Sequence, residues 1–275
     1  VPLPFHTGRK PYEQIAFQFS HHIYHEDGRI EHANEYINAT AGEFPNFEFV
    51  ESLQQALSKD EGTIFKFATH ENTILNAIRA QLKASDASNK ESLISFIETI
   101  SHPTNDNPDP WIVPTRKQNQ GTRDMVDLCK VIIKYYYNPN TFGSNSIKKV
   151  LPAVLKSSQF VQEKYSKPIG AIAVSSKNLP DDHIWLTKRE NEIISPYKTL
   201  PPVYDNISQE EIEARLSNIE NVDDGGAALT AYGKTQYTDM TEKERQDISD
   251  ALKRYCELDT LAMVMIYEHL KSIVK

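Results

Sequence analysis

Thr63-Ile64-Phe65-Lys66-Phe67-Ala68-Thr69-His70-Glu71 is the stretch whose reading decides the fold. Entered through Gly62, its first six residues are a short β-branched and aromatic run, and a strand is the expected conformation. It runs straight into a helix from about His70 to Leu82, because Ile74, Leu75, Ile78 and Leu82 recur at helical spacing and Thr69 stands where a cap belongs. Strand followed directly by helix marks an α/β protein and puts Glu71 at the carboxyl end of a strand, where open α/β folds build their sites.

Upstream, Gln14 to Asn38 reads as two strands about a tight turn, with Asp27-Gly28 at the two central positions that favour positive φ. That register sets Tyr24 opposite Glu31 and Ile23 opposite His32. Phe47 to Leu57 has helical spacing. Downstream, a helix spans about Lys90 to Ile100, and the stretch from His102 to Gly121, with Pro103, Pro108, Pro110 and Pro114, is a loop. Met125 to Tyr137 is a strand end at Val126 followed by a helix. Ser146 to Tyr165 is helical, with Pro152 kinking it or starting a new segment. Between Pro168 and Gln236, which includes the acidic run Ser208 to Glu220, only one helix is convincing. Thr241-Glu242-Lys243-Glu244 is a capping box that opens a helix running to about Ile273.

The 275 residues allow one large domain or two small ones. A charged share of 25% with 39% hydrophobic residues excludes wholesale disorder and a disulfide scaffold. No apolar run approaches the roughly 20 residues of a membrane span. Cys129 and Cys256 sit far apart with no second Cys or His at a metal-ligand spacing, which argues against a structural zinc and fits a reducing cytosol, hence a cytoplasmic protein. A net charge of −8 argues against nucleic-acid binding by charge alone and leaves room for a local acidic metal site. The chain begins at Val1 rather than Met, without a signal peptide, and reads as an internal fragment of something longer.

Two carboxylates stand out. On the last helix, Ile248, Leu252, Tyr255, Asp259, Ala262, Ile266 and Leu270 follow at steps of three or four, so Asp259 is expected in the middle of an apolar face. Desolvated there, it needs a metal, a cation or a hydrogen-bond donor. Glu71 shares the stripe of Ile74, Ile78 and Leu82; favourable interaction with the helix dipole is the simpler account of it alone.

Together they carry a resemblance. Tyr255-Cys256-Glu257-Leu258-Asp259 has the Tyr-x-x-x-Asp form of the third motif of the DEDD 3′-to-5′ exonucleases, and Ala68-Thr69-His70-Glu71 with Leu75 resembles their second motif. Three segments, Pro11 to Ser20, Gly143 to Pro152 and Tyr255 to Met263, are similar to a bacterial family of unknown function. Its members carry an RNase H-like domain, often behind a RecB-like nuclease domain. The resemblance spans about Pro11 to Lys275 and implies one RNase H-like α/β domain, a mixed sheet flanked by helices with an elaboration at about 138–240. It also implies Glu71 and Asp259 as ligands of Mg²⁺ or Mn²⁺, Tyr255 orienting the attacking water, and DNA or RNA as substrate. The sequence departs from the motifs in two ways. Phe67 and Glu71 stand where an Asn and an Asp are usual, and the Asp-x-Glu of the first strand is absent and expected just upstream of Val1. An open sheet edge or gap beside the strand from Gln14 would follow. The alternative is a non-catalytic module that positions nucleic acid or a partner.

Lesser candidates follow from the pattern. His21, His25 and His32 can share one hairpin face with Ile23, superficially a three-His site. Gln18, Ser20 and His22 share the other and could touch substrate. Asp127 could support the site or simply cap the next helix. Gly143 to Lys149, with Ser144 and Lys148, resembles an anion-binding helix start without P-loop spacing. Trp111 and Tyr135-Tyr136-Tyr137 could stack on unpaired bases, although a consecutive aromatic run on a helix cannot all face one way, so at least one ring is core.

Overall fold

A computed structural model describes residues 6, 9–104, 121–190, 192–201, 231–236 and 239–274. In chain order these form β1 (Gln18–Tyr24), β2 (Ile30–Ile37), α1 (Asn46–Leu57), β3 (Phe65–Lys66), α2 (His70–Lys83), α3 (Lys90–Ile100), β4 (Val126–Asp127) and α4 (Leu128–Tyr135). There follow α5 (Ile147–Ser157), α6 (Gln159–Tyr165), β5 (Val174–Ser175), β6 (Thr187–Arg189), β7 (Glu192–Ile194) and α7 (Glu242–Ile273). The class is mixed α/β. Strands fall into three small sheets, β1-β2-β5, β3-β4 and β6-β7, and the chain divides into two compact units.

The first unit comprises Val1–Phe17 and Phe44–Tyr137. Ile74, Leu75, Ile78 and Leu82 of α2 are buried, as are Leu93, Ile94, Ile97 and Ile100 of α3 and Phe49, Val50 and Leu57 of α1. Asn46 ties this core to the preceding segment: its Oδ1 accepts from the Ala16 amide at 2.8 Å, and its Nδ2 donates to Gln81 Oε1 at 2.6 Å. The strand expected over Thr63 to Ala68 is only two residues long, paired in parallel as Phe65↔Val126 and Lys66↔Asp127. Ala68 ends it by taking a φ of +71°, which turns the chain out of the extended region. Thr69 occupies the N-cap position without a side-chain cap bond; it is its carbonyl that accepts, from the Thr73 amide and hydroxyl.

Gly121 closes this unit, its amide donating to the Ser101 carbonyl. A Cβ there would stand 2.1 Å from the Thr99 carbonyl oxygen, a backbone atom with no rotamer to move. Gly121→Ala is therefore expected to cost about 1–3 kcal/mol in urea unfolding, and an unchanged midpoint would contradict this packing.

The second unit comprises Gln18–Glu43 and Asn138–Lys275. Its hairpin is shifted from the expected register: Tyr24 pairs with Ile30 and Ile23 with Glu31. The loop holds three residues rather than two, because His25 and Arg29 still bond and only Gly28, at φ +87°, is left-handed. Beyond His22 a β-bulge at Ala33 restores the expected offset, giving His21↔Asn34. Extended pairing begins at Gln18, not Gln14. β2 pairs in parallel with β5, and no strand among the described residues pairs with the other edge of β1.

Pro152 does not start a new segment; it lies within α5, and the break comes at Ser158, whose side chain accepts from the Val161 amide to start α6. The capping box of α7 is formed in both directions by Thr241 and Glu244. The helix buries Leu258, Leu261, Ala262, Met265 and Ile266, while Val150, Leu151 and Val154 of α5 and Val161 and Tyr165 of α6 are buried beside it. Asp259 is not at the centre of that face. The fully buried carboxylate is Glu257, and Asp259 and Leu270 are only partly covered. No helix among the described residues is long and apolar enough to cross a membrane. Both cysteines are free thiols.

Candidate functional site

Three of the sequence candidates meet in the second unit. Tyr255 and Asp259 lie one turn apart on α7 and so share a face. Asp259 Oδ1 accepts from the Tyr197 hydroxyl at 2.6 Å, a short charge-assisted bond. Tyr197 sits on a single 3₁₀ turn, Pro196–Lys198, with its ring centroid 5.4 Å from that of Tyr255. From the first turn of α5, Lys148 places its ammonium 5.1 Å from the Tyr255 ring and 5.4 Å from the Tyr197 ring, within cation–π range of both. The result is one carboxylate, one cation and two aromatic faces in a single patch. Its phenol bond and partial burial hold the carboxylate in a fixed orientation.

Beside this patch, β1 faces α7 through Thr260. Ser20 Oγ lies 3.0 Å from Thr260 Oγ1 and His22 Nδ1 2.8 Å from it. Buried Gln18 Oε1 has no partner among the described residues. Burial, with the neighbouring His32 and His21 adding to it, holds the His22 imidazole well below its usual pKa, so the ring is neutral. The three-His grouping does not form. The bulge at Ala33 turns His32 to the face of Ser20 and His22, while His25 meets Glu31 and His21 lies beside Asn34. Burial pushes the Cys256 thiol strongly upward, with Asp259 and Glu35 reinforcing it, so it is no nucleophile.

In the first unit, the carboxyl ends of β3 and β4 gather charge. Lys66, almost fully buried, reaches Asp127 Oδ2 at 3.3 Å and donates to the Ala68 carbonyl. Asp127 Oδ1 accepts from the Ala68 amide at 3.0 Å and from Lys130 N at 3.3 Å, so it both caps α4 and carries the ion pair. Glu71 Oε1 accepts from the Phe67 amide at 3.4 Å, and its buried Oε2 has no partner among the described residues. Burial raises the Glu71 pKa, opposed by the amide bonds and by Lys66. A buried carboxyl oxygen without a donor fits a divalent cation, whose hard character suits oxygen ligands.

That raised pKa sets a test. The folded chain holds the Glu71 proton more tightly than the unfolded chain, so Glu71 favours folding at low pH and opposes it as pH rises through the folded pKa. Glu71→Gln is expected to be more stable than the parent at neutral pH, the difference shrinking on acidification. Urea midpoints of both proteins across that range check it, and a difference that does not change with pH would contradict it.

The remaining candidates are dispersed. Ser144 Oγ accepts from the Ser146 amide in the loop before α5. Helix α4 stops at Tyr135, so the tyrosine run is not helical and none of its rings is core: Tyr135 and Tyr137 are exposed and Tyr136 is partly covered. Trp111 and the acidic run Ser208 to Glu220 lie outside the described residues. Glu71 and Asp127 belong to the first unit, Asp259, Tyr255, Lys148, Ser144, Gln18, Ser20 and His22 to the second. Sequence reading missed Lys66, Tyr197 and Glu257. The lone polar residue between Phe65 and Phe67 was a usable signal for Lys66. For Glu257, Leu261 and Val264 at steps of four and three gave the same kind of signal as for Asp259. Nothing marked Tyr197.

Fold and site thus define a mixed α/β protein with an aromatic-lined carboxylate on its last helix. The chain belongs to the family described as Domain of unknown function (DUF2779), whose model matches residues 1–146. Glu71, Asp127, Ser20, His22 and Ser144 fall within the match, and Lys148, Tyr255 and Asp259 lie beyond it. No curated protein and no solved structure matches the chain.

Proposed function

We propose that this protein is an RNase H-like, metal-dependent nuclease domain that hydrolyses phosphodiester bonds of DNA or RNA, acting as a 3′-to-5′ exonuclease. The observation that carries the reading is the Tyr255–Asp259 pair, one helical turn apart, with Tyr197 bonded to the carboxylate and Lys148 over both rings. Asp259 would hold Mg²⁺ or Mn²⁺, with the Tyr197 hydroxyl orienting its carboxylate. The resemblance assigns Glu71 too as a metal ligand, and its buried Oε2, without a partner among the described residues, suits a hard cation. Bound divalent ions would activate water and stabilise the leaving oxygen. Tyr255 orients the attacking water through its hydroxyl, and Lys148 attracts the phosphate. We place the protein in the cytoplasm and regard an upstream RecB-like nuclease domain in the same polypeptide as its natural partner.

A non-catalytic module that only binds nucleic acid would use Lys148 and the rings but would not need a carboxylate beside them, and Asp259 disfavours it. The test uses end-labelled single- and double-stranded DNA and RNA with the chain extended to carry the Asp-x-Glu strand. Mg²⁺- or Mn²⁺-dependent release of nucleotides from the 3′ end is expected. Tight binding without cleavage under any divalent ion would favour the module instead, and internal cuts would replace exonuclease by endonuclease action.

A further inference from the structure

We propose that His22, His32 and Glu257 form a binding site for a single zinc-class transition-metal ion in the second unit, distinct from Asp259 and independent of the nuclease reading. Their ligand atoms all lie within 4.8 Å of one another. Four-coordinate zinc with bonds of about 2.0–2.1 Å needs its ligands roughly 3.3 Å apart, so closure asks for a shift of about 1.5 Å, within reach of side-chain rotation.

The backbone brings these groups together for an identifiable reason. The bulge at Ala33 sets His22 directly opposite His32, and their rings stack at 4.8 Å. Bulges of this kind re-aim side chains next to functional sites. Glu257 comes from α7, three residues before Thr260, and its side chain is fully buried, as is that of His32.

Hydrogen-bond accounting then leaves acceptors unfilled. His22 Nδ1–H donates to Thr260 Oγ1, and the Thr260 hydroxyl can pass its own proton to the Glu257 carbonyl at 3.1 Å. In that arrangement the lone pair stands on Nε2, which is buried and has no partner among the described residues. Such an outer hydrogen bond is what orients a metal-binding imidazole. Glu257 Oε2 accepts from Asn178 at 2.8 Å and the Ser176 hydroxyl also bonds the carboxylate, while buried Oε1 makes no well-formed hydrogen bond among the described residues. His32 Nδ1 stands 3.2 Å from both the Lys177 amide and Glu257 Oε2, and one ring nitrogen cannot accept from the first and donate to the second. A cation would give His22 Nε2 and Glu257 Oε1 a partner, with His32 meeting it through a ring nitrogen and one ring turning out of the stack to reach it.

The donor set selects the ion. Two neutral imidazoles and one carboxylate suit zinc and its neighbours better than Mg²⁺ or Ca²⁺, which prefer all-oxygen shells. Water completes the four positions. Cys256, the nearest thiol in sequence, is not one of the three groups whose ligand atoms converge.

Chelator-stripped residues 1–275 titrated with zinc chloride should bind one ion per chain in calorimetry and unfold at a higher temperature when loaded. Cobalt(II) in place of zinc should give visible bands of a four-coordinate nitrogen and oxygen site, without a sulfur charge-transfer band. His22→Gln and Glu257→Gln, the second able to keep the Asn178 bond, should each weaken zinc by at least about 100-fold while far-UV dichroism shows them folded. Glu71→Gln and Asp259→Asn should bind zinc as the parent does. Absence of stoichiometric zinc binding by the parent would overturn the site, whatever the variants do. So would zinc retained in both His22→Gln and Glu257→Gln, or lost in Asp259→Asn alone. Failure of the nuclease assay would leave each of these outcomes readable.

Discussion

Replacing Lys66 by methionine is expected to destabilise the protein by about 3–5 kcal/mol, the cost of leaving one member of a buried ion pair without the other. Methionine keeps most of the apolar stem, so the loss isolates the charge. Asp127 would retain its bonds from the Ala68 and Lys130 amides, but its largely buried carboxylate and the Ala68 carbonyl would lose their cation. The strained turn at Ala68, which delivers Glu71 to the head of α2, depends on those contacts. Asp127→Asn in the Lys66→Met background should restore part of the stability, because the uncompensated charge is then gone. Urea unfolding of the parent, both single variants and the double variant measures the coupling. A Lys66→Met loss under 1 kcal/mol would show that the ammonium is not held as described.

Residues 1–275 alone are expected to show no appreciable nuclease turnover. The first-strand Asp-x-Glu is not among these residues, and with it go two of the four carboxylates of the two-metal site that the resemblance implies. Loss of an outer hydrogen-bonding partner typically costs about 10- to 100-fold in metal affinity or activity, and a direct carboxylate ligand should cost at least that much. Two such losses compound to about 10²–10⁴ or more, leaving at most one weakly held ion. Adding the upstream strand should restore Mg²⁺- or Mn²⁺-dependent cleavage. Equal turnover with and without it would contradict the ligand count.

Much of the local structure was legible because it rests on near-neighbour rules. Helix α3 lies where its apolar spacing placed it, and Thr241 and Glu244 form the capping box their spacing announced. Long-range choices were not legible. The hairpin turn carries Asp-Gly in either loop length, and only the whole hairpin decides between a two-residue turn and three residues with a bulge at Ala33. That bulge moved His32 to the side of His22. On α7, periodicity located a buried carboxylate but could not tell Glu257 from Asp259, which differ by about 200° around the helix. The bond from Tyr197 joins residues 62 apart in sequence, and no local pattern encodes it. Glu71 was found because a strand end at a helix start is a local signal. Its unpartnered oxygen is a property of packing alone.

The central proposal is that Asp259 serves phosphodiester cleavage, and the most direct measurement compares the chain extended to carry the Asp-x-Glu strand with its Asp259→Asn variant. Both are assayed on single- and double-stranded DNA and RNA with Mg²⁺ or Mn²⁺, in preparations shown free of contaminating nuclease. Asp259→Asn keeps the side chain's shape and an oxygen able to accept from Tyr197, so the fold should survive while the charge that holds the ion is lost. The account predicts that cleavage is abolished on every substrate and unfolding is little changed. Cleavage that persists in the folded Asp259→Asn protein would contradict it.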